Sequence, residues 1–354
     1  MMSKLKLTTL LSVLIIFLLS VSLLGCQEDS STTLERRQTE FLKLFDTATI
    51  IVAYTETEEE FQEYVDLIQE ELTIYHQLYD IYNNYSGVSN LKTINENAGI
   101  SPVSVDQRII DLLLFSKEAY AVTQGRVNVA FGAVLSIWHE YRTVGKASPE
   151  SAQIPPMNEL LEASLHTNIE DVVIDDVNNT VFLKDPAMRL DVGAVAKGFA
   201  VERVTEYARE AGFTDGLISV GGNLRAIGTK GEAKELWSLG IQNPDRESDL
   251  KDLFIIEGTE LSLVTSGDYQ RFYTVDGVPY HHIIHPDTLM PAPYFTAVTI
   301  ITEDSGWADA LSTAVFNMPY EEGLLLIEGI QDTEGVWVFP DGELRYTSGF
   351  SDLL

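Results

Sequence analysis

The chain has 354 residues, of which 45% are hydrophobic and 22% charged, a composition typical of a folded globular protein. Its formal net charge of −31 at pH 7 repels polyanions, so we expect no nucleic-acid partner and no attraction to an anionic membrane surface. A phosphate-bearing ligand would need a metal cation, a helix N-terminus or backbone amides at its binding site to offset that charge.

The N-terminal segment has the features of an export signal. Lys4 and Lys6 precede an apolar run over residues 10–24, and the sequence Leu-Leu-Gly-Cys that ends at Cys26 resembles a bacterial lipoprotein cleavage box. The alternatives are a plain membrane anchor, or a cleaved signal followed by a chance cysteine. Because Cys26 is the only cysteine, none remains for a disulfide, a thiolate metal site or nucleophilic catalysis. The expected organisation is a lipoprotein signal peptide over residues 1–25, a polar tether over residues 26–40 and a folded domain over residues 41–354.

In the first half of the chain, residue spacing predicts one strand, two helices and a hairpin. The strand is expected over residues 41–53, after a short polar or helical lead. Alternating four- and three-residue spacing of apolar and aromatic side chains then indicates an amphipathic helix through Phe61, Val65, Ile68, Leu72, Tyr75, Tyr79 and Tyr82. A second helix is expected over residues 106–124, ended by Gly125, and a hairpin over residues 171–184 with its turn at Asn178-Asn179.

The second half of the chain is richer in strands. A third helix is expected over residues 195–211, with Gly212 as its stop. The other expected elements are short strands at 217–220, 236–242, 254–257 and 261–265, hairpin turns at Asp276-Gly277 and Asp341-Gly342, and helices at 306–316 and 320–328. Strands and helices come in blocks without regular βαβ alternation, so the predicted fold class is α+β.

Two segments that follow strands are candidates for ligand contacts. At residues 191–198 an aspartate and then small residues run directly into a helix, which exposes backbone groups at the helix start. The competing interpretation is that Asp191 is a simple helix N-cap. At residues 219–223 the pair Gly221-Gly222 follows a strand, and paired glycines often serve only as a turn.

Two further segments carry side chains suited to catalysis or metal binding. Three of the six histidines lie within residues 281–285, but alternation along a strand points His281 and His282 to opposite faces, so one functional histidine is expected rather than a metal cluster. Asp309 and Thr313 are four residues apart on a predicted helix and share one face. Carboxylate, hydroxyl and carbonyl oxygens suit Mg²⁺ or Ca²⁺, although an aspartate that balances the helix dipole is the commoner use of such a position.

Taken together, the order and spacing of these segments resemble the ApbE family, whose members are FAD:protein FMN transferases. The resemblance runs from about residue 40 to the C-terminus. It is carried in chain order by Asp191–Gly198, Val220-Gly221-Gly222, Trp237–Pro244, Thr265–Tyr269, His282–Pro286 and Asp309–Thr313. Family members are often exported lipoproteins, in agreement with the segment that ends at Cys26.

The resemblance implies a T-fold-like α+β core, with antiparallel sheets and packed helices, that binds FAD with its pyrophosphate at Mg²⁺. Carried over position by position, the Mg²⁺ ligands would be the Ala194 carbonyl, Asp309 and Thr313. The flavin-nucleotide pocket would comprise Phe45 on the first strand, Tyr82, Arg126, Val127, Asn128, Asp191, Lys197 and Ile284.

The chain departs from the family pattern at two positions, and one assignment is open. The family usually has aspartate where this chain has Asn128, and we expect altered nucleotide contacts rather than lost binding. It also usually has aspartate at His285, where the change either alters the pH dependence or is neutral. Tyr82 has the right spacing to Ser86 for the pocket tyrosine, whereas Tyr85 has the better spacing to Asn95.

The activity that the resemblance implies is the transfer of FMN from FAD to a threonine or serine of an exported or membrane redox protein, with release of AMP. We expect His282 to remove the hydroxyl proton and Asp309 to serve both the metal and catalysis. The protein would face outward from the cell membrane, anchored by lipid on Cys26. The alternatives are an Mg²⁺-dependent FAD pyrophosphatase and a non-catalytic flavin-binding lipoprotein.

Overall fold

The structure is a computed structural model that describes residues 33–354, of which Leu34–Leu354 form one compact unit. The predicted signal peptide, Cys26 and the first part of the tether lie outside the described residues. Within the described part of the chain, no helix is long and apolar enough to cross a membrane.

The central element of the fold is a sheet in which every neighbouring pair of strands is antiparallel. Its strands, in the order in which they lie side by side, are β1 (Glu35–Leu44), β2 (Thr47–Thr55), β6 (Gly216–Val220), β7 (Asn223–Ile227), β10 (Leu261–Gly267), β13 (Ala297–Thr302), β14 (Glu334–Val338) and β15 (Leu344–Tyr346). Sheet neighbours such as β10 and β13 are separated in the chain by insertions, and the insertion between these two strands contains the candidate site residues His282 and Ile284.

Three smaller sheets complete the strand content of the described residues. They are β3 (Val103–Ser104) with β5 (Thr180–Leu183) and β4 (Val172–Asp175), then β8 (Trp237–Gln242) with β9 (Asp252–Gly258), and β11 (Phe272–Val275) with β12 (Val278–His281). The last pair forms a two-stranded ribbon. The ribbon is not hydrogen-bonded to the central sheet. Arg271 directly precedes its first strand, and His282 directly follows its second strand.

Eight α-helices lie in the described part of the chain. They are α1 (Glu58–Tyr79), α2 (Leu91–Glu96), α3 (Gln107–Val122), α4 (Gly132–Ala147), α5 (Met157–Ser164), α6 (Ala196–Glu210), α7 (Ser305–Phe316) and α8 (Tyr320–Glu328). Helix α7 is buried along most of its length, because its mostly small and apolar residues pack between α6 and the central sheet.

The central sheet buries side chains on both faces. Alternation along the strands sends Ile51 and Ile300 to the face covered by helices, and Val52 and Ile301 to the opposite face. The second face is covered by the β8–β9 hairpin, whose Trp237 belongs to the same apolar cluster as Val52. Because both faces are buried, each strand is held in one register, and the residues at the strand ends have defined positions.

Most of the predicted elements are confirmed. The long amphipathic helix is α1, and its apolar stripe from Phe61 to Tyr79 is buried, whereas Tyr82 lies beyond the helix end. The hairpins at Asn178-Asn179, Asp276-Gly277 and Asp341-Gly342 are present. The α+β class with antiparallel sheets and packed helices is confirmed.

The predicted first strand over residues 41–53 is wrong. The segment is a hairpin of β1 and β2, and Phe45 and Asp46 form its turn with φ angles of 52° and 54°. Positive φ at both turn residues matches the twist of a two-residue hairpin, but Phe-Asp is not a common sequence for such a turn. Strand β1 also begins at Glu35, inside the segment expected to be a polar tether, because its backbone pairs with β2 along its whole length.

Candidate functional site

The centre of the candidate site is the carboxylate of Asp309. It lies on α7 and is 3% exposed. Its Oδ2 accepts a hydrogen bond from the backbone N–H of Gly198 at 2.9 Å, and its Oδ1 lies 3.6 Å from Nζ of Lys197. Two of the segments selected from the sequence, 111 residues apart, therefore meet at one buried carboxylate.

This contact depends on a close approach of two helices. A Cβ atom on Gly198 would lie 2.2 Å from the Ser305 carbonyl oxygen and 2.5 Å from Cβ of Asp309, so only glycine fits between α6 and α7. The Gly198 N–H lies in the first turn of α6, where N–H groups have no acceptor within the helix, and it donates to Asp309. Among the described residues, no hydrogen bond ends on the Ala194 carbonyl, so this oxygen is available to a ligand.

The donor set predicted for Mg²⁺ fits a hard cation. It consists of the Ala194 carbonyl, the Asp309 carboxylate and the Thr313 hydroxyl. The Thr313 hydroxyl lies 3.4 Å from Oγ of Ser266. Ser266 is also 2.9 Å from Oγ of Ser312, so hydroxyl groups surround this end of α7. No cluster of three or more His, Cys, Asp or Glu side chains that could hold a metal ion occurs within residues 33–354.

Lys197 links Asp309 to the turn that follows β6. Its Nζ donates to Oδ1 of Asn223 at 3.2 Å. Gly221 and Gly222, with φ angles of 58° and 90°, form the turn between β6 and β7, so the glycine pair is a hairpin turn that positions Asn223. Within residues 33–354, Nδ2 of Asn223 is buried without a hydrogen-bond partner and is a donor available to a ligand.

Two of the three clustered histidines have structural roles. Nδ1 of His281 accepts the Ile283 N–H at 3.2 Å, so its Nε2 donates to the Ala292 carbonyl at 3.0 Å. His285 is buried, and its Nδ1 accepts the Asp287 N–H at 3.1 Å. His285 is thereby an acceptor for backbone N–H groups in its own turn.

His282 makes no such contact within the described part of the chain. Its Nδ1 is buried and has no hydrogen-bond partner among the described residues. Burial, followed by the positive charges of Arg271 and Arg142, lowers the pKa of His282 to about 3. The imidazole is therefore neutral near pH 7 and can accept a proton.

A second group of polar side chains stands beside His282. On α4, Nη2 of Arg142 lies 3.0 Å from Nδ1 of His139, and the ring of Tyr82 stacks on the His139 ring at a centroid distance of 5.0 Å. Burial and then the charge of Asp191 raise the pKa of Tyr82 to about 12. The Tyr82 hydroxyl also lies 3.4 Å from Nδ1 of His139, so Tyr82 and Arg142 meet at the same histidine.

Asp191 is not a simple helix N-cap. Its Oδ1 accepts the Gly193 N–H at 2.9 Å, and its own N–H donates to the Val129 carbonyl, whereas α6 begins at Ala196 without a side-chain cap. Burial raises the pKa of Asp191, an effect that the Gly193 N–H and the nearby His139 and Arg142 partly offset.

Phe45 and Tyr85 belong to a separate group at the end of α1. The Phe45 N–H donates to Nδ1 of His76 at 3.2 Å, and the Tyr85 hydroxyl lies 3.4 Å from Nε2 of the same histidine. The Tyr85 hydroxyl also donates to Oδ2 of Asp80 at 2.7 Å. Tyr85 is thus engaged by local partners, while the Tyr82 ring faces the group that contains Asp191 and Arg142.

The remaining predicted pocket residues have mostly internal contacts. Arg126 forms an ion pair with Asp287 at 2.6 Å. The Asn128 side chain donates to the Thr167 carbonyl and accepts the Ala130 N–H, so the amide that was expected to contact the nucleotide already has internal partners. Val127 is 1% exposed, and Ile284 is 5% exposed within an apolar cluster of α4 and the β11–β12 ribbon. For Val127 and Ile284, only the backbone groups are left to contact a ligand.

Sequence reasoning missed Arg142 and Arg271, whose charges act on His282, and His139, which contacts Arg142. His139 and Arg142 are on α4, which was not predicted, and Arg271 directly precedes β11. The spacing of Val134, Trp138 and Tyr141 is a helical signal that could have revealed α4.

The fold and the site define an α+β protein whose buried carboxylate, lysine and free carbonyl suit a metal-bound nucleotide. The ApbE family model matches residues 45–337. The FAD:protein FMN transferase of Treponema pallidum is 32% identical over 301 residues, which cover 80% of each chain. A Klebsiella pneumoniae protein of the same name is 30% identical over 262 residues, or 73% of this chain and 78% of the relative.

Solved structures agree with this result. The ApbE protein from Thermotoga maritima has a TM-score of 0.79 and 27% identity, and the match covers 90% of this chain and 99% of that one. The Pseudomonas stutzeri flavinyl transferase ApbE has a TM-score of 0.75 at 20% identity and covers 91% and 97%, which supports the fold alone. The chain belongs to the ApbE family and is an enzyme of the transferase class.

Proposed function

We propose that this chain transfers FMN from FAD to a threonine or serine hydroxyl of another protein and releases AMP. The observation that carries the proposal is the meeting of Asp309, Lys197 and Gly198 at one buried point. A carboxylate and a lysine at such a point suit a pyrophosphate that arrives with its counter-ion. The relatives named as FAD:protein FMN transferases support the identity of the nucleotide.

The residues that would hold Mg²⁺ are the Ala194 carbonyl, Asp309 and Thr313. When bound, Mg²⁺ would neutralise charge on the pyrophosphate and on the departing AMP. Lys197 would hold the Asp309 carboxylate in place through its 3.6 Å contact and would add a positive charge beside the phosphates. In a chain with a net charge of −31, these cations are needed to bind an anionic substrate.

His282 is our proposed proton acceptor. The acceptor hydroxyl attacks the FMN phosphorus, an O–P bond forms, the O–P bond to AMP breaks, and the hydroxyl proton passes to His282. Because Nδ1 is buried, the proton would go to Nε2. The low pKa of the free site would rise when the substrate phosphates offset the charges of Arg271 and Arg142.

We further propose that the enzyme is exported and anchored to the outer face of the cell membrane through lipid on Cys26. The charged region, apolar run and Leu-Leu-Gly-Cys ending of the N-terminal segment support this location. Its acceptor would then be an exported or membrane redox protein with a short Ser/Thr-containing flavinylation motif.

The deciding experiment is mass spectrometry of a candidate acceptor after incubation with the protein, FAD and Mg²⁺. We expect a mass increase that matches FMN, that EDTA abolishes and that is missing from an acceptor whose target threonine is changed to alanine. AMP and free FMN without acceptor labelling would indicate a pyrophosphatase instead. Intact FAD with every acceptor tested would indicate a flavin-binding protein.

A further inference from the structure

In the described part of the chain, Arg142 and Arg271 have no carboxylate within ion-pair distance, although Asp191 lies near Arg142. Acidic side chains outnumber Lys and Arg by 54 to 23, yet neither arginine forms an ion pair within residues 33–354. Buried Arg225, by contrast, is paired with both Glu202 and Glu260. Two unpaired arginines close together in so acidic a protein indicate a place where an anion binds.

The β11–β12 ribbon brings Arg271 to His282. Phe272 pairs with His281, so the next residue on each strand, Arg271 and His282, face each other at the base of the ribbon. Arg271 is exposed, so its guanidinium is accessible to a ligand from solvent.

Helix α4 brings Arg142 to the same place. It crosses the ribbon at Gly145, where an added Cβ would lie 2.6 Å from Cδ2 of Tyr273, and this close approach sets Arg142 beside the ribbon base. The only hydrogen-bond partner of Arg142 among the described residues is Nδ1 of His139 at 3.0 Å. The Tyr82 ring that stacks on His139 holds that histidine in position, so the guanidinium is oriented while most of its N–H groups remain free.

We propose that Arg142 and Arg271 form a phosphate clamp that binds oxygens of the nucleotide's phosphate groups next to His282, a proposal that rests on the proposed function for the identity of the nucleotide. A planar guanidinium donates two parallel hydrogen bonds to phosphate, and two guanidiniums from separate elements hold the group in one orientation. The clamp fixes the phosphorus relative to His282. It also provides the local positive charge that the composition of the chain lacks.

The test compares two flavins that differ only in a phosphate. Binding of FMN and of riboflavin to the purified full-length chain is measured by quenching of flavin fluorescence, for the wild type, Arg142→Gln and Arg271→Gln. Arg36→Gln is the matched control, because it removes the same charge from an exposed residue of β1. Thermal unfolding of each variant verifies that it is folded, and Arg142→Lys reports whether charge without the planar fork is sufficient.

We expect each glutamine variant to weaken FMN binding by about 10- to 100-fold, as for a lost charge-assisted contact, and to leave riboflavin binding and the control unchanged. Equal weakening of FMN and riboflavin would show that the arginines only shape the flavin pocket and would overturn the clamp. Unchanged FMN binding in both variants would overturn it as well.

Inorganic pyrophosphate, used alone as a competitor, separates the clamp from the proposed function. If the wild type binds pyrophosphate through these arginines but labels no acceptor, the clamp stands and the transferase proposal fails. If the wild type labels an acceptor while both glutamine variants bind FMN and pyrophosphate normally, the clamp alone fails. If the wild type binds neither flavin nor pyrophosphate, both proposals fail.

Discussion

Replacing Gly198 by alanine should separate the two helices that form the candidate site. The added methyl group would lie 2.2 Å from the Ser305 carbonyl oxygen and 2.5 Å from Cβ of Asp309. The favourable van der Waals distance between such atoms is about 3.5 Å, so α6 and α7 would have to move apart by roughly 1 Å. The first atom is backbone within a buried helix, and no rotation of a side chain relieves the clash.

Two effects of opposite sign act on the stability of this variant. Alanine favours a helix over glycine by about 1 kcal/mol, whereas overpacking of a buried contact costs about 1–3 kcal/mol. The net destabilisation should therefore be modest, and the variant should fold. Activity should suffer more, because a shift of about 1 Å breaks the contact between Gly198 N–H and Asp309, and misplacement on this scale costs on the order of 100-fold in rate.

The assay is the initial rate of acceptor flavinylation at saturating FAD and Mg²⁺, together with the thermal midpoint of each variant. Gly329→Ala is the matched control, since a Cβ there would have its nearest contact at 3.4 Å in ordinary helical backbone. If Gly198→Ala retains a rate within threefold of the wild type, the close approach of α6 and α7 does not position Asp309 for catalysis, and this account of the site is wrong.

The remaining predictions concern Asp309 and His282. Asp309→Ala should abolish Mg²⁺-dependent transfer, and retained EDTA-sensitive labelling of the acceptor would rule out this metal site. His282→Ala should lower the rate by roughly 10²- to 10⁴-fold with FAD binding intact, and a loss below tenfold would exclude it as the base. Folding lowers the pKa of His282 from 6.5 to about 3, so as pH falls the unfolded state binds a proton before the folded state does. The wild type should therefore lose stability relative to His282→Asn as pH falls below 6.5. Thermal unfolding of both proteins at pH 7 and pH 4.5 measures this, and a constant difference between their midpoints would contradict it.

Local spacing was sufficient to predict the elements that carry the site. The stripe of α1 follows from the recurrence of apolar residues, and the turn at Asp276-Gly277 follows from residues that adopt positive φ without strain. Asp309 and Thr313 share a face because a four-residue interval brings two side chains together on any helix. These features depend on residues close in the sequence, so the sequence by itself is enough to predict them.

The hairpin at Phe45-Asp46 shows where local reasoning stops. Residues 41–53 are mostly apolar or β-branched, and in the turn itself only Asp46 is of a type that favours turns. The positive φ angles of both turn residues are maintained by long-range contacts, among them the bond from the Phe45 N–H to His76 on α1. Tertiary contacts therefore decided whether this segment was one strand or two.

The sequence alone determined that Asp309, Lys197 and a single histidine were candidates, because each belongs to a short ordered segment typical of one family. Only the tertiary structure decided that Asp309 meets the Gly198 N–H and that the charges of Arg142 and Arg271 act on His282. Contacts of this kind join residues far apart in the chain, and their distances depend on how helices and sheets pack, on glycines that permit close approach and on strand register. Those quantities have no local signature in the sequence.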